Sequence, residues 1–250
     1  MNDPHQVWTV RPHGEVQAVA GGLWTVEGTI SMPLGKFERR MTVARKNGGG
    51  LVVFSPVSLD EKGMAVIDGA GAVETIVVPS ARHRMDVKPW KMRYPNARVV
   101  APSAALSAIV ELVPVERIAG ADGDGDGDGG KVADPSVALV EVPGTDAHEA
   151  AMIVTSNDGV TVVINELIFN VPDKPGFGGW LMGVLGMTGD EPHMPGVIRM
   201  REVKDKAALA RQLKEWAALP RLQRVIVSHG KVIATGASEV LEKIGAELAG

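Results

Sequence analysis

The side chains able to do chemistry fall in three places. A polar, basic stretch, Ala81–Pro89, follows the apolar run Glu74–Val78 and carries Arg82, His83, Arg84 and Asp86. Glu166 stands in Asn165-Glu-Leu-Ile-Phe169, and His229-Gly230 follows the apolar run Arg224–Val227. A guanidinium offers a rigid fork of donors that grips a carboxylate or phosphate at two points. Arg82 and Arg84 are therefore candidate binders of a small anion. By residue type alone, His229 reads as a hydrogen-bonded structural histidine, His83 as an exposed loop histidine between two arginines, and Glu166 as a carboxylate paired with Arg82 or Arg84. Glu166 and His229 are also a formal acid/base pair for metal-free chemistry, without independent support in the sequence.

Other chemistries lack their residues. The chain has no cysteine, which removes cysteine nucleophiles, thiolate metal sites and a disulfide framework. Ser55 and Ser80 stand outside any Gly-x-Ser-x-Gly elbow. Gly48–Gly50 and Gly127–Gly130 lack the strand–helix setting and the Lys-Ser/Thr of a phosphate loop. The tract Ala121–Gly130, ADGDGDGDGG, alternates Asp and Gly as a calcium loop does. A calcium loop of the helix–loop–helix kind needs Gly at its sixth position and a bidentate Glu at its twelfth. Counting from Asp122, Gly127 fits but the twelfth residue is Ala133; counting from Asp124, it is Pro135. The tract reads instead as a flexible, self-repelling surface loop. His148 and Glu149 read as part of a polar turn, and His5, His13 and His193 belong to no pattern.

The elements that must position these residues follow from hydrophobic spacing. Val7–Val10, Leu23–Ile30 and Met41–Ala44 read as short strands. Gly50–Phe54 reads as a strand buried on both faces. Ser58-Leu-Asp-Glu61 fits a capping box for a helix through Met64 and Ile67, ending near Gly69 or Gly71. Strands at Glu74–Val78 and Arg98–Ala101 flank the basic stretch, an alternation of the α/β kind. Ligands of such sheets gather beyond the carboxyl ends of strands, here Pro79–Trp90. Further strands are expected at Val137–Val142, Ala151–Thr155 and Val160–Ile164, the last two joined by a turn at Asn157-Asp158-Gly159. Gly176–Gly189, rich in Gly and Met, predicts a short helix or a flap. Leu209, Leu213 and Trp216 predict a helix from Asp205 that stops before Pro220. A last helix, capped by Ser238, buries Val240, Leu241, Ile244 and Leu248.

The order of several phrases resembles the metallo-β-lactamase fold superfamily. They are Gly49-Gly-Leu-Val-Val-Phe-Ser-Pro56, Thr75-Ile-Val-Val-Pro-Ser80, Pro143-Gly144, Val163-Ile-Asn-Glu-Leu-Ile-Phe169 and Val225-Ile-Val-Ser-His229-Gly230. In particular the chain is similar to a divergent, uncharacterised branch in which the metal motif is eroded. The resemblance implies an α/β (α+β) fold, a four-layer αββα sandwich, over one domain spanning 1–250. It implies a metal site in loops at one edge, whose hallmark is H-x-H-x-D-H directly after a strand. There, imidazoles and carboxylates hold zinc, which acidifies a bound water. Here Ser80-Ala-Arg-His83-Arg-Met-Asp86 takes that place. His83 falls on the second His of the motif and Asp86 on its last, or Asp86 falls on the Asp if the alignment moves by one. The His after Pro-Gly has no match, since Thr145 follows Gly144 and His148 comes later. Glu166 takes the place of a bridging Asp, and His229 that of a His in a His-Gly pair.

The metal ligands implied are thus His83, Asp86, Glu166 and His229. The expected function is a metallo-β-lactamase-fold protein with a degenerate site that binds a small anionic molecule through Arg82 and Arg84. The alternative is a hydrolase using a single divalent metal, zinc first, on the residual ligands. A net charge of −4 argues against a nucleic-acid partner. No apolar run approaches the ~20 residues of a membrane helix, and MNDPHQVWTV lacks the pattern of a secretory signal, so a cytoplasmic protein is expected. The Met/Gly/Trp stretch Gly176–Met187 predicts an apolar patch for a homodimer.

Overall fold

The computed structural model describes residues 7–32, 35–120 and 134–250, so the Asp/Gly tract at 121–130 lies outside the described residues. Two sheets form the middle of the molecule. The first has seven strands in sequential order: β1 (Gln17–Ala20), β2 (Leu23–Met32), β3 (Gly35–Arg45), β4 (Leu51–Phe54), β5 (Val73–Val77), β6 (Arg98–Ala101) and β7 (Arg117–Ile118). β1 to β4 pair antiparallel and β4 to β7 parallel. The second comprises β8 (Val137–Glu141), β9 (Ala150–Ser156), β10 (Gly159–Asn170) and β11 (Leu222–Gly230), in the order β11-β10-β9-β8.

Alternation along the strands builds three apolar layers. Val52, Phe54, Val77 and Val100 of the first sheet meet Met152, Val154, Val163 and Ile226 of the second in a core between the sheets. The other face of the first sheet, with Leu51, Val53, Ile76 and Val99, packs under α1 (Glu61–Ala70), α2 (Val87–Arg93) and α3 (Leu106–Val110) through Met64, Ile67, Trp90 and Ile109. The other face of the second sheet, with Val162, Ile164, Val225 and Val227, lies under α5 (Gly196–Glu202), α6 (Lys206–Ala217) and α7 (Ala237–Ala249). Leu209, Leu213, Trp216, Leu241 and Ile244 fill that layer. The architecture is the expected four-layer αββα sandwich. Both sheets are buried on both faces, hence the continuous apolar runs at 51–54 and 225–227.

Local details depart from the pattern in instructive ways. α1 is capped by Asp60, which accepts from the Gly63 N–H at 2.8 Å, and not by Ser58. The Ser58 hydroxyl is turned inward to Asp86 Oδ1 at 2.9 Å. α7 starts after Gly236, and Ser238 lies inside it, donating to the Ala217 carbonyl. Residues 7–10 form no strand; Trp8 packs on Trp90 and donates to the Leu59 carbonyl at 2.9 Å. Asn157 and Asp158 do make the two-residue turn between β9 and β10. Gly176–Val184 is a helix, α4. No helix among the described residues is long and apolar enough to cross a membrane.

Candidate metal centre

Three strand tips meet at one edge of the sandwich, and a buried amide ties them together. Asn165, on β10, donates from Nδ2 to Ser80 Oγ at 3.2 Å and to Glu149 Oε2 at 3.1 Å, and accepts from Ser228 Oγ at 2.9 Å. Ser80 lies in the loop after β5, Glu149 precedes β9, and Ser228 lies on β11. The residues of interest lie next to this network: His83 follows Ser80 in its loop, Glu166 follows Asn165 on β10, and His229 follows Ser228 on β11.

Their side chains converge. His83 Nε2 lies 2.6 Å from Glu166 Oε1, and His229 Nε2 lies 3.4 Å from the same oxygen. The three donor atoms fall within 4.8 Å of one another, and these residues are the one group of three or more His, Asp or Glu able to share an ion among the described residues. Glu166 reaches this point because the pairing of β10 with β11 is irregular between Ile164 and Phe169: five steps along β10 match two along β11, from Val227 to His229. Such a break in register re-aims a side chain. Glu166 itself lies inside β10 and not at its end.

The far nitrogen of each ring is already engaged. His229 Nδ1 lies 2.7 Å from the Glu38 carbonyl oxygen of β3, which can only accept, so Nδ1 carries the proton. A neutral ring protonated there carries its lone pair on Nε2. His83 Nδ1 lies 2.8 Å from Ser55 Oγ, which can donate or accept. Phe37 and Phe169 pack against the His229 ring, with centroids at 4.8 and 4.6 Å. Arg40 holds the strand that delivers it: this buried guanidinium donates to the Val227 carbonyl at 3.1 Å and to the Gly230 carbonyl at 2.5 Å, on either side of His229. Gly230 has φ +95°, and a Cβ there would lie 2.0 Å from the Asn170 carbonyl oxygen. The glycine of the His-Gly pair is therefore a steric necessity.

Asp86, expected among the ligands, is elsewhere. It is completely buried and forms an ion pair with Arg39 of β3, with Ser58 Oγ as a further donor. An exposed Asp could swing to an ion, but this one already neutralises a buried guanidinium and leaving would strand it. The arginines also have other duties. Arg82 sits among Glu202 (3.0 Å), Glu166 Oε2 (3.5 Å) and Glu149 (3.6 Å). Arg84 turns to the Ala108 carbonyl and to Glu111. A Glu166–Arg82 pair exists, but on the carboxylate oxygen that does not face the imidazoles. His148 stays on its own turn, 3.0 Å from the Thr145 carbonyl. Gly144, with φ +82°, docks the start of α6 by accepting from the Lys204 and Asp205 amides.

Burial and charge divide the titrating groups. Burial alone would raise the Glu166 pKa, but the proximity of His229 and His83 outweighs it and holds the group well below the usual carboxylate range. Burial, and then the charge of Glu166, push Glu149 well above that range. Burial lowers His83, against the pull of Glu166. Burial of Arg82 is outweighed by Glu166, Glu202 and Glu149, and its pKa rises. Glu149, Asn165, Ser55 and Arg40 are the functional neighbours that sequence reasoning missed. Nothing in their spacing separates them from ordinary polar residues, although the Asn-Glu phrase put Asn165 next to a site residue.

The centre opens into a cavity of about 890 Å³. The strand tips give it His83, Glu166 and His229; Phe37, Phe169, Met182, Leu185, Met187 and Ile198 give it apolar walls.

A family model described as a domain of unknown function (DUF4336) matches residues 20–118. No curated protein matches the chain. Among solved structures, the metallo-β-lactamase of Hirschia baltica is similar at 13% identity and a TM-score of 0.59, over 92% of this chain and 97% of that one. The metallo-β-lactamase of Erythrobacter litoralis is similar at 18% identity and a TM-score of 0.60, over 94% and 97%. The FIM-1 enzyme of Pseudomonas aeruginosa, in its mono-zinc form, is similar at 14% identity and a TM-score of 0.58, over 96% and 98%. At these identities the likeness is one of fold, and this chain has the metallo-β-lactamase fold.

Proposed function

We propose that the protein is a hydrolase working with one divalent cation, zinc first, held by His83, Glu166 and His229. The site is degenerate in that it serves one ion and not two. A single observation carries this reading: on His229 the Nε2 lone pair faces the ionised Glu166 Oε1 at 3.4 Å. Two acceptors turned towards each other call for a positive charge between them. Their separation suits two ligands of one tetrahedral ion with bonds of ~2.0–2.1 Å. The His83–Glu166 contact of 2.6 Å is a hydrogen bond and has to lengthen. His83 can release its Nε2 proton because Ser55 accepts from Nδ1 as readily as it donates to it.

When bound by three protein ligands, such a cation supplies Lewis-acid polarisation and an acidified water. The chain's own residues do the rest. Glu38 and Ser55 fix the two rings. Arg82 occupies Glu166 Oε2 and leaves Oε1 for the imidazole side. Phe37 and Phe169 keep bulk water from His229, which strengthens every charge interaction in the centre. The substrate is expected to be a small anion met first by Lys36, because Arg39, Arg82, Arg84 and Arg201, which line the same cavity, already pair with carboxylates of the chain.

Elemental analysis of untagged protein, purified without chelator, tests the reading. About one equivalent of zinc, manganese or iron is expected, with loss in His229→Ala and in Glu166→Gln. The competing reading is a metal-free anion-binding protein. Arg82 favours it, since a permanent cation already lies 3.5 Å from Glu166. Metal-free protein stabilised by anions, with Arg82→Ala removing the effect, would establish that reading and refute ours.

A further inference from the structure

We infer that the cavity takes a single-chain amphiphile: an alkyl or acyl compound whose polar end reaches the three-residue centre and whose tail lies along α4 and α5. The placement of the polar end rests on the hydrolytic reading of that centre; the tail does not. Two walls of different chemistry face the cavity. One is the set of strand tips with His83, Glu166 and His229. The other is built by α4, α5 and the segment joining them, through Met182, Leu185, Met187, Val197 and Ile198. A compact polar substrate would leave this second wall facing water, although about 890 Å³ is room for a drug-sized molecule.

The wall is also of a particular kind. Three of its five side chains are unbranched or γ-branched and two are methionine, whose thioether moulds itself to chains of varying shape. Leu185 and Val197 are 41% and 36% exposed, so the apolar lining continues to the mouth. Arg201 lines the same cavity, half-exposed and paired with Glu202 at 2.7 Å, and Lys36 lines it with no ion pair to any described residue. Apolar length combined with cationic lining describes the anion of a fatty acid or its ester analogue.

Isothermal titration with straight-chain carboxylates from butanoate to dodecanoate tests this, on the protein as isolated and again after chelation. Affinity should rise about three- to fourfold per methylene until the cavity is full. Leu185→Asp should cost decanoate tenfold or more and leave butanoate unchanged; Val197→Asp serves if the first variant fails to fold. Affinity independent of chain length would overturn the inference. So would a chain-length effect abolished by Trp180→Asp, on the outer face of α4, and untouched by Leu185→Asp. Because the slope is read with and without metal, its absence in a metal-loaded protein sinks this inference alone. A slope in a protein that never binds metal sinks the hydrolase reading alone.

Discussion

His229 shows how much of the centre is decided within one residue of it. Its Nδ1 proton is spent on Glu38, its ring is wedged between two phenylalanines, and the next residue must be glycine. Gly230→Ala forces a Cβ to within 2.0 Å of the Asn170 carbonyl at a positive φ. We expect a loss of at least about 2 kcal/mol of stability, as for other strained backbone positions, and loss of bound metal; thermal melts and elemental analysis read the two. Ser55→Ala is milder. The serine is itself at φ +56°, and its hydroxyl lies 2.8 Å from the outer nitrogen of His83. Metal affinity should fall about 10- to 100-fold, as for other residues that orient a ligand from behind, with an unchanged circular-dichroism spectrum. A similar affinity in the variant would mean that His83 needs no orientation.

At the scale of elements, β3 is the clamp. It provides the carbonyl that orients His229, the guanidinium of Arg39 for Asp86, and Arg40 for the end of β11. Arg40→Met keeps the volume but leaves two strand carbonyls without a donor. A cost of about 2–3 kcal/mol is expected in urea unfolding, together with loss of metal. A second tie joins the β3–β4 turn to the start of β8. Asp134 accepts from the Gly48 amide at 3.3 Å and from the Ser136 amide at 2.9 Å, and Ser136 Oγ accepts from the Asn47 amide at 3.1 Å. Burial raises the Asp134 pKa, but the hydrogen bonds from Ser136 and Gly48 outweigh it, so the group lies below its ordinary 3.8. A depressed carboxylate stabilises fully above its unfolded value, and the contribution disappears as pH falls through the folded one. Stability should therefore drop as the solution is acidified below about pH 3.8, and Asp134→Asn should flatten that drop while lowering stability at pH 7.

At the scale of the molecule, one surface stands apart. Phe177 and Trp180 stack on the outside of α4, 77% and 61% exposed, with Val184 beside them. The homodimer expected through this stretch is tested by sizing wild type against Trp180→Asp. A halved mass in the variant is the expected result, and equal masses for two folded proteins would dispose of the dimer. The same helix turns Met182 inward, so only one face of it is exposed in this way.

The sequence by itself determined the layers. Apolar runs buried on both faces, the Leu209–Trp216 spacing and the Asn157-Asp158 turn are local patterns, and strands and helices answer to local patterns. It also singled out His83, Glu166 and His229 before any geometry was known. What it could not decide was company. Asp86 stands three residues from His83 in sequence, yet it faces Arg39, because a buried guanidinium from β3 claims it. Arg82, open to an anion on paper, is surrounded by three carboxylates brought from residues 149, 166 and 202. Partnerships between distant side chains depend on which strand tips the sandwich brings together and on where β10 loses register with β11. Those are properties of the packed sheets, and no spacing along one segment encodes them.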